Sequence, residues 1–245
     1  MIKSLSIIFP VFNEGMRLKS SFKHILNFLK KKKNFRIEII FVDDGSEDNS
    51  YKLIKDFISN FKNLKKIDNI KINSIKTKKN LGKGSALKLG VKKAKSDWIL
   101  TSDIDMSVSL FQVYNWMEKK LINKKYFVYF GSRKNEKSIV ESKFFRKILG
   151  GIMSFLTLII LNIKIKDTQC GYKLYKKSLA KPAFRRLKDY GFNHDLEIIL
   201  LLRKKHIAIR ELPVKWKHKN NSRLNIFFDP MKMLIGIFLM KLRYF

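Results

Sequence analysis

Leu5 to Phe9 form a short apolar run that Pro10 ends, and the next segment places Leu18, Phe22, Ile25, Leu26 and Leu29 at spacings of three and four. The first pattern predicts a strand and the second an amphipathic helix. The alternation repeats. Ile37 to Val42 is a second apolar strand, Asp43-Asp44-Gly45-Ser46 a turn, and Tyr51, Ile54, Phe57, Ile58 and Phe61 a second helical stripe. Ile72 to Ile75 predicts a third strand, and Leu81 to Gly84 a glycine loop opening a helix through Ala94. Trp98 to Thr101 predicts a fourth strand ending at Asp103, and Phe127 to Phe130 another. Strands apolar on both faces that alternate with helices predict an α/β fold. Its Rossmann-like, mostly parallel central sheet would carry helices on both faces.

The character changes beyond residue 140. Ile148 to Ile163 is nearly uncharged but shorter than the roughly 18 to 20 apolar residues of a membrane span, so it predicts an interfacial or core helix. Ile226 to Phe245 mixes apolar blocks with Lys232, Lys241 and Arg243, the pattern of an amphipathic helix in the headgroup region of an anionic membrane or of a packing helix at the domain edge. The expected organisation is one domain over 1–225 followed by an amphipathic C-terminal helix over 226–245.

The 245 residues carry 53 Lys+Arg against 20 Asp+Glu, a formal net charge of +33. With 45% hydrophobic residues the chain can still bury a core, so disorder is not expected. Such a charge selects anions: nucleic acid, anionic lipid surfaces or phosphorylated small molecules, unless it is only a solvated surface. There is no Cys/His finger, RNP-type aromatic motif or heptad array, and no nucleic-acid partner is expected. Cys170 stands alone, which excludes an intrachain disulfide and a cysteine-based zinc site. The opening segment lacks a small-residue cleavage site, and a cytoplasmic location is expected.

In open α/β sheets the ligand sits beyond the carboxyl ends of the strands. The scarce acids gather there: Asn13-Glu14 after the first strand, Asp43-Asp44 after the second, and Asp103-Ile104-Asp105 after the fourth. Alternation would aim Asp103 and Asp105 to one side, where Mg²⁺ held by carboxylates and substrate phosphates relieves their repulsion. Asp43-Asp44-Gly45-Ser46 has more carboxylate than a helix cap needs, and the surplus could accept hydrogen bonds from a nucleobase or ribose. Leu81-Gly82-Lys83-Gly84 has the look of a phosphate cradle without the full spacing of a P-loop.

As a set, Phe9-Pro10-Val11-Phe12-Asn13-Glu14, Val42 to Ser46, Asn80 to Gly84 and Asp103-Ile104-Asp105 resemble the family 2 glycosyltransferases of GT-A fold. Gly131-Ser132-Arg133, Asp167 to Lys173, Phe192 to Glu197 and Glu211 to Val214 are similar to the branch that makes polyprenyl-phosphate sugars, the dolichyl-phosphate β-glucosyltransferases above all. The resemblance implies a nucleoside-diphosphate sugar donor, UDP-glucose or a related UDP-sugar, bound by Pro10, Glu14 and Asp44. It also implies Mg²⁺ or Mn²⁺ on Asp103 and Asp105, with Asp105 the direct ligand, and phosphate contacts from Arg133 and from Arg223 beside Ser222.

Displacing a nucleoside diphosphate requires its charge to be neutralised, a task for Asp105 with the metal and for Arg223. A polyprenyl phosphate acceptor is already nucleophilic at neutral pH and needs no general base, with Lys173, Arg133 and Arg146 orienting it. A hydroxyl acceptor of a surface polysaccharide would need one, and Asp195 or Glu197 is the candidate unless both merely favour a helix N-terminus. The enzyme would then sit peripherally on the cytoplasmic face of a membrane. The alternative from another class is a non-catalytic basic protein that binds membranes or nucleic acid through charge. His194 reads as a surface or capping residue and Cys170 as a packing residue.

Overall fold

The computed structural model describes residues 2–31, 35–63, 69–141, 151, 155–191, 193–219 and 228–245. The first half follows the predicted alternation: β1 (Ser4–Val11), α1 (Gly15–Lys30), β2 (Arg36–Asp43), α2 (Ser50–Asn63), β3 (Ile70–Lys76), α3 (Lys83–Lys93) and β4 (Trp98–Thr101). β1 pairs in parallel with β2 and β4, and β2 with β3. Pro10 does not end β1, which continues to Val11. β4 stops at Thr101, opposite Ile8, so at Pro10 the strand pairs with β2 alone and a residue without an N–H is tolerated there.

The second half is less regular. It adds α4 (Gln112–Glu118), β5 (Val128–Ser132), β6 (Ile139–Glu141), a helical stretch α5 (155–161), β7 (Lys173–Lys176), α6 (Lys177–Arg186), α7 (His194–Arg203), β8 (Arg210–Pro213), β9 (Lys215–Lys217) and α8 (Phe228–Tyr244). The main sheet runs β3-β2-β1-β4-β7-β5-β8, and β6 and β9 form a small parallel pair. β7 is antiparallel to both neighbours, β4 and β5, whereas β5 and β8 are parallel. Its first residue, Lys173, therefore lies at the same sheet edge as the carboxyl ends of β1, β2 and β4.

Two cores cover the two faces. Leu5, Ile7 and Phe9 of β1 point into one with Leu18, Ile25 and Phe28 of α1; Ile8 points into the other with α3, α6 and α7. The period-two alternation of β1 divides its side chains between them. Helix α7 is buried from His194 through Leu202, the expected fate of a helix apolar nearly all round. The predicted C-terminal helix is α8. Of the predicted helix over 148–163, residues 155–161 form α5 and Gly151 is helical, whereas 162 and 163 are not; residues 148–150 and 152–154 lie outside the described residues.

Candidate active site

β1, β2 and β4 end side by side, and their loops bring the sequence-predicted acids together. Asn13 adopts φ 51°, and its Oδ1 accepts the Glu47 N–H at 2.8 Å and the Asp48 N–H at 3.2 Å, which ties the first loop to the second. Glu14 faces Arg17 at 3.1 Å. Asp43 is fully buried; its Oδ2 accepts the Ser46 N–H at 3.3 Å, and its Oδ1 has no hydrogen-bond partner among the described residues.

The glycine loop is not an open phosphate cradle. Leu81 and Gly82 donate their N–H groups to Asp44, at 3.1 and 2.7 Å, and Gly84 donates to the Tyr190 carbonyl at 2.9 Å. Asp44 is thereby spent on shaping the loop. Gly82 sits at φ 103°, and a Cβ there would meet the Tyr190 oxygen at 2.3 Å, so neither its backbone conformation nor its surroundings admit a side chain. What the loop presents is Lys83, whose Nζ lies 2.6 Å from Asp103 Oδ1.

Asp103 and Asp105 stand on a turn beyond β4, not on the strand, and face different partners. Asp103 takes Lys83, while Asp105 Oδ1 accepts the Ser107 N–H at 2.8 Å and its hydroxyl at 2.7 Å. Partial burial opposes ionisation of Asp103, but Lys83 holds it below the usual carboxylate range. Gly171 packs so closely that a Cβ would lie 2.3 Å from the Asp103 carboxylate.

Behind this edge lies a buried charge cluster. Lys173 Nζ is 2.7 Å from Asp195 Oδ1, with both side chains almost fully enclosed, and His194 Nε2 lies 3.3 Å from the same oxygen. Burial alone would raise the pKa of Asp195; His194, Lys173 and Lys83 hold it low instead. Of the two expected places for His194, surface or helix cap, the surface is excluded: it is buried at the first residue of α7, and its Nδ1 lies 2.7 Å from the Gly191 carbonyl, a contact that needs the proton on Nδ1. Burial pushes its pKa below the usual value. Pro10, Lys83, Ser102, Asp103, Gly171, His194 and Asp195 line one small pocket. A larger cavity of about 720 Å³ follows edge strand β8, and its lining contains none of the predicted site residues.

A family model of glycosyl transferase family 2 matches residues 6–184. The chain belongs to glycosyl transferase family 2. It is 32% identical to a dolichyl-phosphate beta-glucosyltransferase of Dictyostelium discoideum, over 98% of this chain and 74% of that one. It is 30% identical to those of Homo sapiens and Saccharomyces cerevisiae, over 99% and 98% of this chain and 76% and 75% of theirs. Among solved structures, glucosyl-3-phosphoglycerate synthase from Mycobacterium tuberculosis with Mn²⁺, UDP and glucosyl-3-phosphoglycerate superposes with a TM-score of 0.68 at 14% identity, covering 98% of this chain and 80% of that one. The mannosyltransferase of Pyrobaculum calidifontis with GDP-Man and Mn²⁺ has a TM-score of 0.63 at 13% identity, covering 98% of this chain and 64% of the other. These establish the GT-A fold.

In this family 2 glycosyltransferase the donor set suits a hard divalent cation. Asp103 and Asp105 offer carboxylate oxygens from one turn, and Asp103 is held against a backbone that only glycine permits. Among the described residues no three His, Cys, Asp or Glu converge.

Other expected contacts are placed differently. Lys173 is committed to Asp195 and does not reach outward to an acceptor. Glu197 has no exposed surface: Lys188 and Asp189 N–H bond its Oε2 at 2.9 and 2.6 Å, and the Tyr244 hydroxyl bonds its Oε1 at 2.5 Å. Arg133 forms a bidentate pair with Asp167, 2.8 Å at each contact, and its face turns toward Trp216. Arg223 and Arg146 lie outside the described residues. The sequence pattern assigns Asp167 no role of its own, although it opens the motif Asp167 to Lys173. Its buried carboxylate, held below the usual range against burial by Arg133, is what orients that guanidinium.

Proposed function

We propose that this glycosyltransferase moves a sugar, glucose in the first instance, from a UDP-sugar to a polyprenyl phosphate, dolichyl or undecaprenyl, with inversion at C1. The observation that carries the acceptor class is the commitment of both candidate bases. Asp195 neutralises buried Lys173, and Glu197 is held by donors from two segments, the 188–189 backbone and the end of α8. A hydroxyl acceptor requires a base, whereas a phosphate monoester, with a second pKa of about 6, attacks unaided. The similarity over nearly the whole chain to the dolichyl-phosphate beta-glucosyltransferases supports the same reading.

In the proposed reaction an acceptor phosphate oxygen forms a bond to C1 as the bond from C1 to the diphosphate oxygen breaks, and the electron pair leaves with UDP. Asp103 and Asp105 would hold Mg²⁺ or Mn²⁺, which neutralises charge on the departing diphosphate. Lys83 is positioned to follow that charge. Pro10, Asn13, Glu14, Asp43 and Asp44 shape the nucleoside end, where the unpartnered Oδ1 of Asp43 suits a nucleobase N–H. Arg133, pre-oriented by Asp167, would meet the acceptor phosphate with the part of its guanidinium that Asp167 leaves open.

Among the described residues no helix is long and apolar enough to cross a membrane. The enzyme is proposed to work peripherally at the cytoplasmic face, where its excess of cations meets anionic headgroups. The test supplies purified protein with Mn²⁺, a short polyprenyl phosphate and a panel of UDP- and GDP-sugars, and follows nucleotide release together with the lipid product. Release that depends on the lipid phosphate with one UDP-sugar is the expected result. Release that depends on hydroxyl acceptors alone overturns the acceptor assignment.

A further inference from the structure

Helix α8 is apolar on two faces and the fold covers one of them. Ile237 and Met240 are buried in the same core as α7, whereas Ile235, Phe238, Leu239 and Leu242, on the opposite side, are more than half exposed. The exposed stripe is bordered by exposed Lys232 and Lys241. An apolar stripe with a cationic border complements an anionic bilayer surface, with the apolar side chains among the acyl chains and the ammonium groups at headgroup level. Helix α5 adds exposed Phe155 and Ile159 while its Leu161 enters the same core.

The covered side of α8 is fastened to the active site. Tyr244 and Arg243 reach Glu197 Oε1 at 2.5 and 3.4 Å, and Asn193 donates to the Met233 carbonyl at 3.1 Å. The other oxygen of Glu197 holds the Lys188 and Asp189 N–H groups. The next residue, Tyr190, accepts the Gly84 N–H, and Gly84 follows Lys83, the partner of Asp103. Hydrogen bonds and two short stretches of backbone thus connect the C-terminal helix to the candidate metal carboxylate.

We propose that α8 docks on an anionic bilayer and that Glu197, as a positioning residue, transmits this docking through the 188–191 loop to Lys83 and Asp103. The proposal deepens the reading of a membrane-borne acceptor and rests on it. A surface that binds only the docked form of α8 shifts the population toward it, and the loop that Glu197 holds is ordered with it. A phosphate acceptor embedded in the bilayer would then meet a site that the bilayer itself has set.

Amide hydrogen exchange on the full chain tests this without relying on turnover, because the Lys188 and Asp189 amides both bond to Glu197. Vesicles of phosphatidylglycerol and phosphatidylcholine should bind in flotation and slow exchange over 188–191 by about tenfold, and phosphatidylcholine alone should do neither. Tyr244→Phe should bind the anionic vesicles as the wild type does but lose the slowing. Phe238→Ser with Leu242→Ser, both exposed, should lose vesicle binding and leave exchange in the free protein unchanged. Anionic vesicles that fail to bind, that bind without slowing 188–191, or that slow it equally in Tyr244→Phe overturn the proposal. Lipid-phosphate turnover without vesicle-dependent protection overturns this inference alone; protection without such turnover overturns the substrate assignment alone.

Discussion

The proposed donor side of the sheet edge and the side built by β7 and α7 handle charge in opposite ways. On the donor side Asp103 and Lys83 face each other with about two fifths of each side chain exposed, and Asp105 leans on a hydroxyl and one amide. Such contacts exchange with water and with incoming phosphate at little cost. On the other side Lys173 and Asp195 are enclosed, and neither can lose its partner without leaving a bare charge in the interior. The half-open pair belongs where ligands arrive and leave; the closed pair belongs where a framework has to keep its shape between turnovers.

The strongest way to break the comparison is at the turn after β4. Asp105→Ala should lower sugar transfer by at least about 100-fold while circular dichroism and the unfolding midpoint stay near wild type. Full turnover in that variant would remove the metal assignment. On the framework side the loss should appear in stability. Lys173→Met should cost about 3 to 5 kcal/mol in urea unfolding, and adding Asp195→Leu should restore most of it, because the isolated buried carboxylate is then gone.

Acid should separate the two sides as well. The folded pKa values of His194, Asp195, Asp167 and Asp103 all lie below their ordinary ones, so the unfolded chain takes up protons first and stability falls with pH. The loss should begin as pH drops below about 6.5 through His194 and steepen below about 4 through the carboxylates. His194→Gln should flatten the first part of the curve in unfolding measurements across that range.

Gly82→Ala sharpens the loop that joins the two sides. A side chain at φ 103° against the Tyr190 carbonyl should cost about 1 to 3 kcal/mol and loosen Lys83, seen as a raised KM for the nucleotide-sugar. The smallest effect is expected at Cys170. Buried, with its thiol pushed up to about 11, it should resist alkylation at pH 8 in the native enzyme and react only on unfolding.

The donor half was legible in the sequence because its contacts follow chain order. Each βα unit carries its own period and turn, and the polar residues after each strand fall at the carboxyl edge by the topology of parallel sheets alone. Pro10 misled at one point: it signalled a strand end, and only the early stop of β4 makes it harmless inside β1. The glycine loop misled in another way, since its amides look free until Asp44 and Tyr190, far along the chain, are seen to take them.

The sequence by itself determined the α/β class, the first four strands, the acidic edge and the amphipathic end of the chain, because those follow from local periodicity and from scarce residue types in telling places. Only the tertiary structure decided that β7 enters the sheet antiparallel between β4 and β5, bringing Lys173 to Asp195. It also decided that Glu197 binds the C-terminal helix and that Asp167 aims Arg133. Each of those pairings joins segments 20 or more residues apart, and no local pattern records which buried charge will meet which. The choice is made by packing, since an ion left without its partner in the interior costs more than most alternative arrangements of the chain.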